Sequence, residues 1–124
     1  MNDLAKSWLA ALRSGEFEQT TMEMRSGNAY CCLGVACELY RLTYGEGHWK
    51  KTDSADFYFS IGRENTGGLL PVRVKDALGL TDINGHFDGS NLARINDRGA
   101  TFVEIADIIE SEPPGLFVRE RRGE

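Results

Sequence analysis

Along most of the chain the apolar positions recur with a helical period, and the densest of them lie between Ala29 and Tyr44, where only Glu38, Arg41 and Thr43 are neither apolar, aromatic nor glycine. A helix read from Leu33 gathers Gly34, Glu38 and Arg41 on one narrow stripe and surrounds them with apolar side chains, which is the pattern of a core helix. Upstream, Leu4, Ala5, Trp8, Leu9 and Leu12 form the apolar face of a first helix, with Asn2 as its cap and Ser14-Gly15 as its stop. From Phe17 the period changes. Thr20, Met22 and Met24 alternate against Gln19, Thr21 and Glu23, and Arg25-Ser26-Gly27-Asn28 supplies turn chemistry before Ala29-Tyr30-Cys31, so a β-hairpin is expected to feed into the core helix.

Downstream, Gly45 to His48 reads as a loop, Trp49 to Thr52 as a short strand, and Phe57, Phe59 and Ile61 as the buried face of another. A flexible run from Gly62 to Gly68 leads to Pro71, which suits the start of a helix carrying Leu70, Val74, Ala77 and Leu78 and ending at Gly79. Asn84-Gly85 is a two-residue hairpin signal, and Asp88 to Asn91 a second turn able to cap a short helix over Leu92 to Asp97. Thr101 and Glu104 form a capping box ahead of Phe102, Ile105, Ala106 and Ile109. Leu116 to Val118 is expected to add an edge strand, and residues from about 119 to 124 are expected to form a flexible, solvated tail. The expected fold is α+β: one domain over residues 1–124, with a small antiparallel sheet packed against about five short helices.

Composition leaves that picture standing and narrows the function classes. At 124 residues, 41% hydrophobic and 27% charged, the chain can bury a core without staples, and no apolar run is long enough to span a bilayer. No secretory pattern opens the chain, so a cytoplasmic address is expected. A net charge of −5 works against general nucleic-acid affinity. Cys31, Cys32 and Cys37 all lie in the most apolar stretch and read as core thiols, with no C-x-x-C and no nearby histidine to suggest a metal.

Candidate chemistry is sparse. Residues 92–109 look like two helices joined by a tight turn, yet the helix after the turn presents Glu104, Asp107 and Glu110 where a DNA reader presents cations. The 62–68 run lacks the ending of a phosphate loop, but Arg63 beside a helix N-terminus, with Asn65, Thr66, Gly67 and Gly68, is the first place to seek a small anionic ligand. Asp82 and its neighbours fail the calcium-loop pattern, because counting from Asp82 puts Phe87 and Ala93 where glycine and glutamate belong. No serine stands in a nucleophile elbow.

The segment Trp8, Leu12-Arg13-Ser14-Gly15, Phe17, Gln19 and then Tyr30-Cys31-Cys32-Leu33-Gly34-Val35 with Cys37 to Tyr40 resembles a family of small phage- and prophage-encoded proteins, largely uncharacterised. A second block is similar too: Leu69 to Pro71, Leu78-Gly79-Leu80, Leu92, Asn96-Asp97, Gly99, Thr101-Phe102, Ile105 to Asp107 and Ile109. The resemblance implies a phage context, in which small acidic proteins bind host proteins or signalling molecules. It carries no catalytic residue, metal or cofactor. Glu38 and Arg41 on the core helix and Asn96-Asp97 beside the turn join the ligand-binding candidates, their structural alternatives being an arginine partner for Glu38 and a capping role for Asp97. The favoured expectation is a non-catalytic phage or prophage accessory protein that binds a host factor or a small anionic, nucleotide-like ligand. The alternatives are a small enzyme acting on a nucleotide-like substrate and a DNA-binding regulator using residues 92–109.

Overall fold

Helix α1 (Asp3–Ser14) and helix α2 (Cys32–Tyr44) meet through Trp8, whose ring is fully buried and whose indole N–H donates to the Cys32 carbonyl at 2.9 Å. A buried indole needs such a partner, and here it ties the start of one helix to the middle of the other. The computed structural model describes residues 1–52, 56–64 and 68–118. Asn2 caps α1 by accepting from the Ala5 N–H at 2.9 Å, and Gly15 ends it at φ 79°. At the head of α2 the Cys31 sulfur accepts the Gly34 N–H, so a thiol stands where an oxygen cap is usual. Residues Cys32 to Cys37 are all buried. Burial raises the three thiols, Cys31 to about 11, and keeps them protonated at neutral pH.

Strands β1 (Glu18–Gln19), β2 (Arg25–Ser26), β3 (Ala29–Tyr30), β4 (His48–Lys51) and β5 (Asp56–Ser60) form one sheet in the order β1-β3-β2-β5-β4. The α+β architecture is the expected one, with one refinement: β1 runs parallel to β3, so the sheet is mixed. The alternation over Thr20 to Met24 does not make the first arm of a hairpin. Asp97 accepts the Met22 N–H at 2.7 Å, the Asn96 amide donates to the Thr20 carbonyl, and Met22 sits at φ 68° with its side chain largely exposed, while Met24 turns into the core. The hairpin forms later, between β2 and β3, where Gly27 supplies the left-handed turn residue at φ 57°.

Helix α3 (Val72–Leu78) follows Pro71 and ends at Gly79 in the left-handed conformation. A two-stranded ribbon of β6 (His86–Phe87) and β7 (Ser90–Asn91) then turns at Asp88-Gly89 rather than at Asn84-Gly85. Gly85 is used elsewhere: its carbonyl accepts the Leu92 N–H, and a Cβ there would run into the Leu92 side chain. Helix α4 (Leu92–Asp97), capped by Asn91, and helix α5 (Phe102–Glu110), opened by the Thr101–Glu104 capping box, complete the five helices of the described residues. The expected edge strand at Leu116 to Val118 is a single bridge, Leu80 with Phe117, beside the Gly79 carbonyl that accepts the Val118 N–H. No helix among the described residues is long and apolar enough to cross a membrane. Residues 119–124 lie outside the described part of the chain.

Candidate binding face

Register decides which side chains share a face of the sheet. Arg25 on β2 stands opposite Tyr30 on one side and Phe57 on the other, and Phe57 stands opposite Lys51. Directly opposed residues project to the same face, so Tyr30, Arg25, Phe57 and Lys51 form a row across four strands, with Trp49 and Phe59 one step along. The rings touch edge to face: Phe17 with Tyr30 at 5.4 Å, Tyr30 with Trp49 at 5.8 Å and Trp49 with Phe59 at 5.0 Å between centroids. Over them lies the Arg25 guanidinium, 4.3 Å from the Phe57 centroid, 5.2 Å from Tyr30 and 5.5 Å from Trp49. Aromatic faces attract a guanidinium, and three of them hold this one in place.

The stripe on α2 explains itself here. Gly34 lets the helix lie against the backbone of Met24, the residue that leads into β2, since a Cβ would overlap the Met24 carbonyl oxygen. One turn on, Glu38 accepts two hydrogen bonds from Arg41, at 2.8 and 2.7 Å, and a third from the Trp49 indole at 3.0 Å. Arg41 holds the Glu38 carboxyl below its ordinary range, burial opposes the shift, and the indole reinforces it. Tyr30 moves up, chiefly because its phenol is half-buried.

These shifts set a pH dependence. Because the folded value of Glu38 lies below the unfolded one, its contribution is present above the ordinary carboxylate value and is lost as pH falls through the lower, folded value. Glu38→Gln should therefore cost about 1 kcal/mol at neutral pH, and the gap from the parent should close in acid; urea unfolding at a series of pH values measures it.

The other sequence candidates have different surroundings. Arg63 is exposed on the turn between Ile61 and Glu64. The N–H of Val72, at the head of α3, is taken at 2.9 Å by the Glu64 carboxylate, so the chain supplies its own anion where an external one was sought. Gly68 is exposed, and Asn65, Thr66 and Gly67 lie outside the described residues. Asn96 is fully buried and acts as a junction: its oxygen accepts from the Cys32 N–H at 3.1 Å and from Gln19 at 2.9 Å, and its amide donates to the Thr20 carbonyl at 2.9 Å. Asp97 holds Met22 instead of capping the helix at Thr101. The structure thus brings Glu38 and Arg41 together and gives Asn96 and Asp97 structural work. On α5, Asp107 and Glu110 pair with Arg13 at 2.7 and 2.9 Å. Among the described residues no group of three or more His, Cys, Asp or Glu side chains could hold a metal ion. A cavity of about 680 Å³ opens elsewhere, between Leu78, Glu112, Pro114 and Phe117.

Arg25, Tyr30, Trp49 and Phe57 were not singled out by sequence reasoning. Their signal was the ring-rich alternation of Phe57 and Phe59, which marks a strand, but only the pairing register sets Arg25 among the rings. A family model described as a domain of unknown function, DUF8296, matches residues 1–113. No curated protein and no solved structure shows significant similarity to the chain.

Proposed function

The chain belongs to the DUF8296 family, and from that footing we propose that it is a non-catalytic accessory protein that binds a protein partner through the face formed by Arg25, Tyr30, Trp49, Phe57 and the Glu38–Arg41 pair. The observation that carries this reading is the half-buried cluster of three rings around one guanidinium. Protein-binding hot spots are enriched in Trp, Tyr and Arg held rigidly at the centre of a patch, and the interlocked rings provide that rigidity. A small ligand favours a concave pocket, whereas this cluster is a partly exposed rim where the sheet emerges from under α2, with none of its residues among those lining the 680 Å³ cavity. The phage or prophage setting, the host origin of the partner and a cytoplasmic location belong to the same proposal and rest on the resemblance of the Tyr30 to Tyr40 core.

The test is site-selective photo-crosslinking in bacteria producing the protein. A benzoylphenylalanine in place of Phe57 should yield a discrete protein adduct, and the same group in place of Val103, exposed on α5, should not. No adduct at position 57, or the same adducts at both positions, would overturn the reading.

A further inference from the structure

We infer that the partner presents an acidic peptide segment, whose carboxylates pair with Arg25 and Lys51; the inference rests on the protein-binding reading of this face. Several cations of the chain are already satisfied internally. Arg13 has Asp107 and Glu110, Arg41 has Glu38, and Arg73 has Glu46 at 3.0 Å. Arg25 and Lys51 form no ion pair with any described residue, a property shared by Lys6, Lys50, Arg63, Arg94 and Arg98, so it is the setting of Arg25 that distinguishes it. The Glu38 carboxylate feels the Arg25 charge but accepts its hydrogen bonds from Arg41 and Trp49.

Arg25 is also prepared for such a partner. Its Nε donates to the Gly27 carbonyl at 2.7 Å, which fixes the near edge of the guanidinium, while both Nη atoms lack hydrogen-bond partners among the described residues. Three ring faces hold the plane of the group. A guanidinium fixed in this way has lost its rotamer freedom before binding, and its open fork matches a carboxylate in two-point geometry. Lys51 lies two strands away on the same face with Phe57 between them, so cation, ring and cation follow one another across the sheet. The complement of that row is a segment carrying carboxylates on either side of an apolar or aromatic side chain. The overall charge of −5 gives no long-range attraction to an acidic segment, so recognition depends on the local pairs.

The experiment is selection of random twelve-residue displayed peptides on the native protein, followed by affinity measurement of the enriched peptides on the parent, Arg25→Gln and Lys51→Gln. The enriched set should be rich in Asp and Glu, with affinity falling about tenfold for Arg25→Gln and severalfold for Lys51→Gln. The lysine is exposed and outside the ring cluster, so its replacement leaves the fold intact. Enriched peptides that are neutral or basic, or that bind the parent and both variants equally, overturn the acidic-segment assignment while leaving a protein-binding face. Absence of any enriched peptide also overturns it, and the crosslink at position 57 then judges the parent reading alone.

Discussion

Asn96→Ala is expected to lower the free energy of unfolding by about 3–5 kcal/mol, enough to remove a large part of the stability of a domain this size. The side chain is fully buried and ties α4 to two segments distant in sequence: the N–H of Cys32 at the head of α2, and the Gln19 amide on β1 with the Thr20 carbonyl after it. Gln19 keeps a second acceptor, the Ala100 carbonyl at 2.7 Å, so its loss is partial. The Cys32 N–H and the Thr20 carbonyl keep no such alternative from the deleted group, and each buried polar group left unpaired costs about 1–3 kcal/mol, to which a small cavity adds. Asn96→Asp should not rescue the protein, because a carboxylate cannot donate to the Thr20 carbonyl. Equilibrium urea unfolding of both variants measures this, and a loss below about 1 kcal/mol for the alanine variant would rule out the junction role.

Gly34→Ala is expected to cost about 3 kcal/mol or more, although it adds a single methyl group to a helix that propensity alone would favour. The added carbon would occupy the place of the Met24 carbonyl oxygen, and backbone cannot swing aside as a side chain can. That carbonyl accepts the Cys31 N–H at 3.0 Å, so its displacement loosens the residue that caps α2. The variant should therefore show two changes together: a lower unfolding midpoint and faster alkylation of Cys31 in the native state, where the parent thiol is buried and protonated. Gly68→Ala, at an exposed position with open space around it, serves as the control and should change neither.

Both positions show what a sequence discloses and what it hides. The helices α1, α2 and α5 were legible because their apolar periods are long and their ends carry local chemistry, Asn2 and Gly15 on the first and the Thr101–Glu104 box on the last. Gly34, Glu38 and Arg41 were legible as a stripe, but the meaning of the stripe depends on Met24 and Trp49, which no periodicity connects to α2. The Thr20 to Met24 alternation pointed to a strand and misled, because Asn96 and Asp97, more than seventy residues away, take the backbone groups that a ladder would have used. In the same way Asn84-Gly85 carries a hairpin signature but is held against α4, and the ribbon turns four residues later. The binding candidates followed the same rule. Arg63 was picked out by its neighbour in sequence, whereas Arg25 and Lys51 become neighbours of Phe57 only through pairing of β2, β5 and β4.

That the ring-and-guanidinium face takes an acidic segment is tested most directly by the two indole groups. Trp49 lies in the face and donates to Glu38, whereas Trp8 is fully buried and donates to the Cys32 carbonyl. In a nitrogen-15 NMR titration with a twelve-residue peptide of alternating glutamate and tyrosine, the Trp49 indole and the Arg25 Nε–H should shift together and saturate, while the Trp8 indole stays in place. Two indole signals that both remain fixed at millimolar peptide, or that move equally, would contradict the account.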